Sequence, residues 1–201
     1  MSKRIAVFIS GRGSNFKAIL DEINQGNING KIDVVVSDNP GAYGLLYALK
    51  NNIKYVIYIK GKEESRANYF NRIKLFLHKR DIDLIVLAGF GKILSVNFVQ
   101  HYENKILNIH PALLPSFPGE DAQQQALKRG VKYSGCTVHF VDEGVDTGPI
   151  VLQTPVLVHD NDTVEELSNR ILIQEHVIYP RAVRYFCDDK LLIKGGKVII
   201  I

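Results

Sequence analysis

The sequence contains few cysteines, with only Cys136 and Cys187 among its 201 residues. They are not spaced as in a CxxC pair, nor in any other way that is typical of metal ligands. Isolated cysteines give no disulfide framework of the kind that holds small secreted domains together, and they suit a reducing compartment. We therefore predict a cytoplasmic protein without structural disulfides.

Long hydrophobic runs are also missing. A membrane-spanning helix needs roughly 18 or more apolar residues in a row, and no stretch of the sequence approaches that length. The first apolar run, residues 5–9, is too short for the hydrophobic region of a secretory signal. We expect a protein that does not interact with membranes.

Neither sign of charge dominates the chain. Lys and Arg number 25 against 21 Asp and Glu, which gives a formal net charge of +4, and no long run of like charge occurs. This mild basic excess suits a small phosphorylated ligand and is a weak argument for nucleic acid binding. We expect small-molecule partners, no nucleic acid, and a monomer or homodimer.

The first half of the chain alternates short apolar runs with stretches of helical periodicity. This pattern predicts βαβ units, and therefore a parallel sheet covered by helices. The predicted strands are residues 5–9, 33–37, 55–59, 84–88 and 105–109. The predicted helices run from residue 16 to about 26, over 44–51 and 65–80, and from Ser95 as an N-cap.

The second half has a different pattern. It predicts a short helix over residues 123–129, two antiparallel strands at 133–140 and 150–158, and a small terminal hairpin at 190–201. A long helix should run from Thr163 toward Phe186, with Pro180 kinking or dividing it. The predicted fold is a single-domain, Rossmann-like α/β fold. Its mostly parallel twisted sheet has about seven strands, helices on both faces and an antiparallel C-terminal strand pair.

Two polar side chains stand at the end of the fifth predicted strand. Asn108 and His110 are alternate residues, so they should point to the same face of that strand, and Pro111 prevents it from continuing as a central strand. An amide donor and an imidazole that titrates near neutrality suit a reaction in which negative charge develops on an oxygen.

A carboxylate would complete this group, and Asp146 is the best candidate. It lies in a glycine-containing turn directly before the apolar run that starts at Ile150. The alternative is that Asn108 and His110 merely satisfy backbone groups of a loop bounded by prolines.

The segment from Gly11 to Asn15 lies where the first strand leads into the first helix, so its backbone amides could bind a phosphate. The alternative is that its glycines only allow a tight turn. A dinucleotide fingerprint would place a third glycine where Phe16 stands, so a single phosphate fits better. Asp38, after the second strand, leaves open a nicotinamide cofactor whose ribose it would bind.

Residues 108–115, followed at a distance by Asp146, resemble the signature of folate-dependent formyltransferases. Three further motifs are similar to members of this family that act in purine synthesis, namely residues 10–15, 87–90 and 174–176. The resemblance covers residues 5 to about 185. It implies formyl transfer from 10-formyltetrahydrofolate to the amine of 5-phosphoribosylglycinamide, which gives 5-phosphoribosyl-N-formylglycinamide and tetrahydrofolate.

The resemblance also implies roles for individual residues. Asn108, His110 and Asp146 would be catalytic, while Gly13, Ser14, Asn15 and Glu175 would bind the phosphoribosyl substrate. The folate would contact Arg66, Gly91, Lys92, Ile93, Leu94, Asn108, Asp142, Glu143, Gly144, Val145 and Asp146. Many members carry Arg where this chain has Lys92, so a bidentate contact would be lost.

Residues 1–110 would then form a phosphate-binding and substrate-binding half, and residues 111–201 a folate-side and C-terminal half of one domain, 1–201. The histidines outside the signature, including His139 and His176, are interpreted as structural. No two of them have the helical spacing of a metal site, so we expect no metal.

Three alternative functions remain open at this point. Two are enzymes that use the same folate, a formyltetrahydrofolate hydrolase and another folate-dependent formyltransferase. A transfer RNA formyltransferase would be expected to carry a further C-terminal domain, and a hydrolase an N-terminal regulatory one. The third alternative is a nucleotide-binding module that uses the glycine loop without chemistry.

Overall fold

The computed structural model describes residues 2–201. Fifteen helices and strands follow one another along these residues, and their bounds lie close to the predicted ones. In chain order they are β1 (Lys3–Ile9), α1 (Ser14–Asn24), β2 (Gly30–Ser37), α2 (Gly44–Lys50), β3 (Tyr55–Ile57), α3 (Arg66–His78), β4 (Leu84–Leu87), α4 (Val96–His101), β5 (Ile106–His110), α5 (Ala122–Arg129), β6 (Tyr133–Phe140), β7 (Ile150–Leu157), α6 (Val164–Cys187), β8 (Leu191–Lys194) and β9 (Lys197–Ile200).

Seven strands form one sheet in the order β3-β2-β1-β4-β5-β6-β7. The strands from β3 to β5 are parallel, whereas β6 pairs antiparallel with β5, and β7 antiparallel with β6. This arrangement confirms the predicted fold class. The predicted terminal hairpin is also present, as a separate sheet of β8 and β9.

The sheet is covered on both faces, which explains why its inner strands are apolar throughout. Alternate residues of β1 divide between the two sides: Ile5, Val7 and Ile9 pack on one, Ala6 and Phe8 on the other. Helices α1, α2, α5 and α6 cover the first face, and α3 and α4 cover the second. The C-terminal ends of the parallel strands are left free to carry loops.

Pro180 was predicted to kink or divide the long helix, and it does not divide it, because the 24-residue α6 runs through position 180. Proline removes one intrahelical hydrogen bond, but packing on its neighbours holds the helix together. Pro180 and Tyr179 are both buried. The Tyr179 hydroxyl lies 2.9 Å from the Leu87 carbonyl oxygen and 2.8 Å from that of Leu107, which anchors α6 to β4 and β5.

Across residues 2–201, no helix is both long enough and apolar enough to cross a membrane. Within the same range, no group of three or more His, Cys, Asp and Glu side chains is arranged to hold a metal ion.

Candidate active site

The strand order changes direction between β1 and β4, and the loops that follow these strands meet at that edge of the sheet. Ligands of open α/β sheets bind in the crevice at such a point. A cavity of about 310 Å³ lies there, between the segment after β4, the end of β5 and the loop after β6. Asn108, His110 and Asp146 all line it.

His110 is the last residue of β5, and its buried ring is held between two acceptors. Its Nε2 lies 2.7 Å from the Phe117 carbonyl oxygen, and its Nδ1 lies 3.2 Å from Oδ2 of Asp146. Burial lowers the pKa of His110, while the Asp146 carboxylate and the Phe117 carbonyl oppose that shift. Two acceptors on one ring mean that only the imidazolium can donate to both.

The loop that carries Phe117 is fixed by a buried threonine on β6. The Thr137 hydroxyl donates to the Ala112 carbonyl at 2.7 Å and accepts from the Leu114 N–H at 3.0 Å. The Gln153 amide on β7 also donates to the Leu114 carbonyl at 2.8 Å. The partner of the His110 ring is therefore positioned by the antiparallel strands.

Asp146 occupies a left-handed backbone conformation (φ 55°) in the loop between β6 and β7. Its Oδ2 accepts a hydrogen bond from the Gly119 N–H at 2.8 Å. Burial raises the pKa of Asp146, but His139, Gly119 and His110 outweigh it, and the pKa lies below its ordinary value. The site thus contains a stable carboxylate next to an imidazole, as the sequence predicted.

His139 lies in contact with Asn108 and Asp146, although the sequence predicts only a structural role for it. It faces Asn108 across the β5–β6 pair, and its Nε2 lies 3.2 Å from Asn108 Nδ2 and 3.5 Å from Asp146 Oδ1. The strand over residues 133–140 was predicted, but its place beside β5 was not. The register of that pair is what brings His139 into the site.

The glycine loop after β1 ends at Gly13, which is the N-cap of α1 in a left-handed conformation (φ 70°) without a side-chain cap. A Cβ atom at Gly13 would lie 2.6 Å from Cα of Gly44, so the loop packs directly on the start of α2. The first N–H groups of α1, beginning at Ser14, have no acceptor within their own helix. Together with the helix dipole, they can bind an anion.

Asn15 and Glu175 are far apart in sequence but directly bonded, since the Asn15 amide donates to Glu175 Oε2 at 2.7 Å. Both side chains are buried. Burial raises the pKa of Glu175, and Asn15 and Arg12 oppose the shift. The predicted contacts of the phosphoribosyl substrate therefore lie together, where α6 crosses the start of α1.

Most residues predicted to contact folate line the cavity: Gly91, Lys92, Ile93, Leu94, Asp142, Glu143, Gly144 and Val145. The Gly91 N–H donates to the Ser10 hydroxyl at 2.7 Å, which joins this wall to the glycine loop. Arg66 is exposed at the start of α3 and is not among the lining residues.

The nicotinamide alternative is not supported by the environment of Asp38. Its side chain is only 9% exposed and forms an ion pair with Lys92, whose Nζ lies 3.1 Å from Asp38 Oδ2. Phe16, in place of the third glycine, is fully buried in the core. The carboxylate that would have held a cofactor ribose instead fixes the wall of the cavity.

The chain is similar to known proteins over nearly its whole length. A family model described as formyl transferase matches residues 3–183. The phosphoribosylglycinamide formyltransferase of Haemophilus influenzae is 41% identical over 194 residues, which cover 96% of this chain and 92% of that protein. The trifunctional purine biosynthetic protein adenosine-3 of Homo sapiens is 45% identical over 97% of this chain, which spans only 19% of the human protein. Among solved structures, glycinamide ribonucleotide transformylase 1 from Symbiobacterium toebii has a TM-score of 0.96 at 46% identity, covering 99% of this chain and 94% of its own.

Proposed function

Because the chain belongs to the formyl transferase family, we propose that it transfers a formyl group from 10-formyltetrahydrofolate to the amine of 5-phosphoribosylglycinamide. The products are 5-phosphoribosyl-N-formylglycinamide and tetrahydrofolate, a step of de novo purine synthesis. Proteins named for this activity match nearly the whole chain. The observation that supports the proposal most is the contact of His110 with Asp146 inside a cavity that also exposes Asn108.

The phosphoribosyl substrate would bind at the glycine loop. The phosphate would accept hydrogen bonds from the N–H groups at Gly13, Ser14 and Asn15, and the dipole of α1 favours its charge. Glu175, held by Asn15, would bind donor groups of the same substrate. The Gly91 contact with Ser10 joins the glycine loop to the wall of the cavity, which supports a subsite beside it.

The folate would occupy the cavity itself. Its volume of about 310 Å³ is at the lower end of the roughly 300–1,000 Å³ of ligand pockets, so it suits the pterin end of a folate. Gly91, Ile93 and Leu94 offer backbone groups and apolar side chains to a flat ring. The glutamyl end would extend toward Arg66. Lys92 would contact the folate while its ion pair with Asp38 holds it in place.

The reaction needs stabilisation of an oxyanion, because the formyl carbon becomes tetrahedral when the neutral amine attacks it. Asn108 would donate an N–H to that oxygen, and the His110 ring, once protonated by the proton that the amine releases, would stabilise it electrostatically. Loss of one such donor typically lowers kcat by about 10²–10³.

Asp146 would control the protons of this step. Its charge favours the His110 imidazolium, and the pair can accept a proton from the amine through water and return it to the leaving nitrogen. Neither cysteine takes part, since both are buried and both have their pKa raised by burial to about 12. We propose a direct transfer, without a covalent enzyme intermediate.

The test is the release of tetrahydrofolate from 10-formyltetrahydrofolate, measured with and without phosphoribosylglycinamide. We expect release only when the acceptor is present, and Asn108→Ala should lower kcat by about 10²–10³. Release without the acceptor would favour a hydrolase, and no turnover under either condition would favour a binding module.

Three further points stay predictions. They are that the protein is a monomer or homodimer, that it is cytoplasmic, and that its single domain divides at residue 110.

A further inference from the structure

His139 faces different chemical groups with its two ring nitrogens. Its side chain is only 2% exposed. Its Nδ1 lies 2.8 Å from the carbonyl oxygen of Phe140, and its Nε2 lies 3.2 Å from Nδ2 of Asn108. In this arrangement both roles are fixed, because a carbonyl oxygen only accepts and an amide nitrogen only donates.

These two partners determine where the proton of the ring lies. The ring must donate through Nδ1 to Phe140, so Nδ1 carries the hydrogen. Its Nε2 must accept from Asn108, so Nε2 has none. His139 is therefore a neutral imidazole with its hydrogen on Nδ1 when the contact with Asn108 is formed.

We propose that His139 is a positioning residue for the formyl transfer, which fixes the amide of Asn108 so that one N–H points into the cavity. An asparagine amide has two N–H hydrogens. If His139 accepts one of them, the other is available to the oxygen of the formyl group. The inference rests on the proposed function of Asn108.

The competing contact of Nε2 is with Asp146 Oδ1, at 3.5 Å. A nitrogen that accepts from Asn108 cannot donate to Asp146 at the same time, and the contact with Asn108 is the shorter one. Asp146 has other partners, the Gly119 N–H at 2.8 Å and His110 Nδ1 at 3.2 Å. While His139 accepts from Asn108, Gly119 and His110 remain to hold the pKa of Asp146 below its ordinary value.

Without an acceptor at His139, the Asn108 amide could rotate and turn its oxygen toward the cavity. An oxygen in that place repels the oxyanion that the reaction forms, so the loss should fall on kcat. The loss should be similar to that of removing the Asn108 amide, about 10²–10³. Substrate binding should change little, because His139 acts through Asn108.

The first test needs no turnover. Protein labelled with ¹⁵N-histidine is studied by long-range ¹H–¹⁵N correlation at pH 7.5, and His139→Gln assigns the signal of His139. We expect the neutral tautomer with hydrogen on Nδ1. A tautomer with hydrogen on Nε2, or an imidazolium, overturns the proposal. This result is independent of whether the proposed activity is correct.

The second test is kinetic. His139→Gln places an amide that can keep an acceptor near Asn108, whereas His139→Leu removes the acceptor. We expect His139→Leu to lower kcat by about 10- to 10³-fold with little change in KM, and His139→Gln to restore most of the rate. In an Asn108→Ala background, His139→Leu should have no further effect, whereas in an Asp146→Asn background its effect should persist. An unchanged kcat, or an effect that adds to that of Asn108→Ala, overturns the proposal.

Discussion

At the scale of single residues, the charge of Asp146 is the feature on which the chemistry depends. Its carboxylate is fixed by the Gly119 N–H and lies against the rings of His110 and His139. Asparagine has the same shape and can still accept from Gly119, but it cannot favour an imidazolium. Asp146→Asn therefore separates the charge of this side chain from its place in the fold.

We expect Asp146→Asn to lower kcat by about 10²–10⁴, with KM for both substrates little changed. Steady-state kinetics with each substrate varied in turn measures this. Asp121→Asn is a matched control, since Asp121 is a neighbouring carboxylate that does not line the cavity. Equal losses of substrate binding and of rate would show that Asp146 is a ligand contact instead.

Some residues of this site could be predicted from the sequence, and others could not. Asn108 and His110 follow from the alternation of a strand that ends before a proline, and both line the same cavity. His139 and Phe117 could not be predicted in the same way. The pairing register of β5 and β6 brings His139 into the site, and a loop held by Thr137 brings Phe117 there. Neither feature can be predicted from the spacing of nearby residues in the sequence.

At the scale of elements, the junction of the glycine loop with α1 depends on a close approach of two backbones. Alanine at position 13 would have an unfavourable positive φ, and its Cβ would lie 2.6 Å from Cα of Gly44. Gly13→Ala should therefore lower the unfolding temperature and raise KM for phosphoribosylglycinamide.

Thermal unfolding and kinetics with the acceptor varied check this prediction. For the unfolding temperature, Gly11→Ala is the control, because a Cβ at Gly11 meets nothing within 4 Å. Equal losses of stability in both variants would mean that the contact with Gly44 has no special role.

The long helix α6 begins with a capping box. The Thr163 hydroxyl accepts from the Glu166 N–H, and the Glu166 carboxylate accepts from the Thr163 N–H. We expect Thr163→Ala to lower the free energy of unfolding by about 1 kcal/mol, whereas Thr163→Ser should retain it. Urea unfolding measures both variants, and an equal loss in the two would contradict the capping role.

The same helix shows why element types were easier to predict than their continuity. The sequence predicts a helix from Thr163 toward Phe186, and Pro180 within it indicates a kink or a division. The helix continues because Tyr179 and Pro180 are buried against the strands of the site. Packing between distant segments therefore outweighs a local preference.

At the scale of the whole molecule, stability should depend on pH. The pKa values of His110, His176 and Asp146 all lie below their ordinary values in the folded chain, whereas that of Glu175 is raised and acts in the opposite direction. At the first three groups the unfolded chain binds more protons, so acid favours unfolding there. The stability is present above the unfolded pKa of each group, about 6.5 for histidine and 3.9 for aspartate, and is lost as pH falls.

We expect the free energy of unfolding to be lower at pH 5.5 than at pH 7.5, and His176→Gln to reduce this difference. Burial is the main cause of the lowered pKa of His176, followed by Arg12 and Lys17. Urea unfolding at the two pH values measures the effect, with the same substitution at the exposed His159 as the control. A difference that His176→Gln leaves unchanged would contradict this account.

In the proposed reaction, the carbon of the formyl group moves directly to the amine of the acceptor. This transfer is tested by incubating the protein with 10-formyltetrahydrofolate labelled with ¹³C in the formyl group, together with phosphoribosylglycinamide, and recording ¹³C spectra. We expect the label to appear as an N-formyl group on the glycinamide nitrogen, and Asp146→Asn to slow its appearance. Label recovered as free formate, or left on the folate, would contradict it.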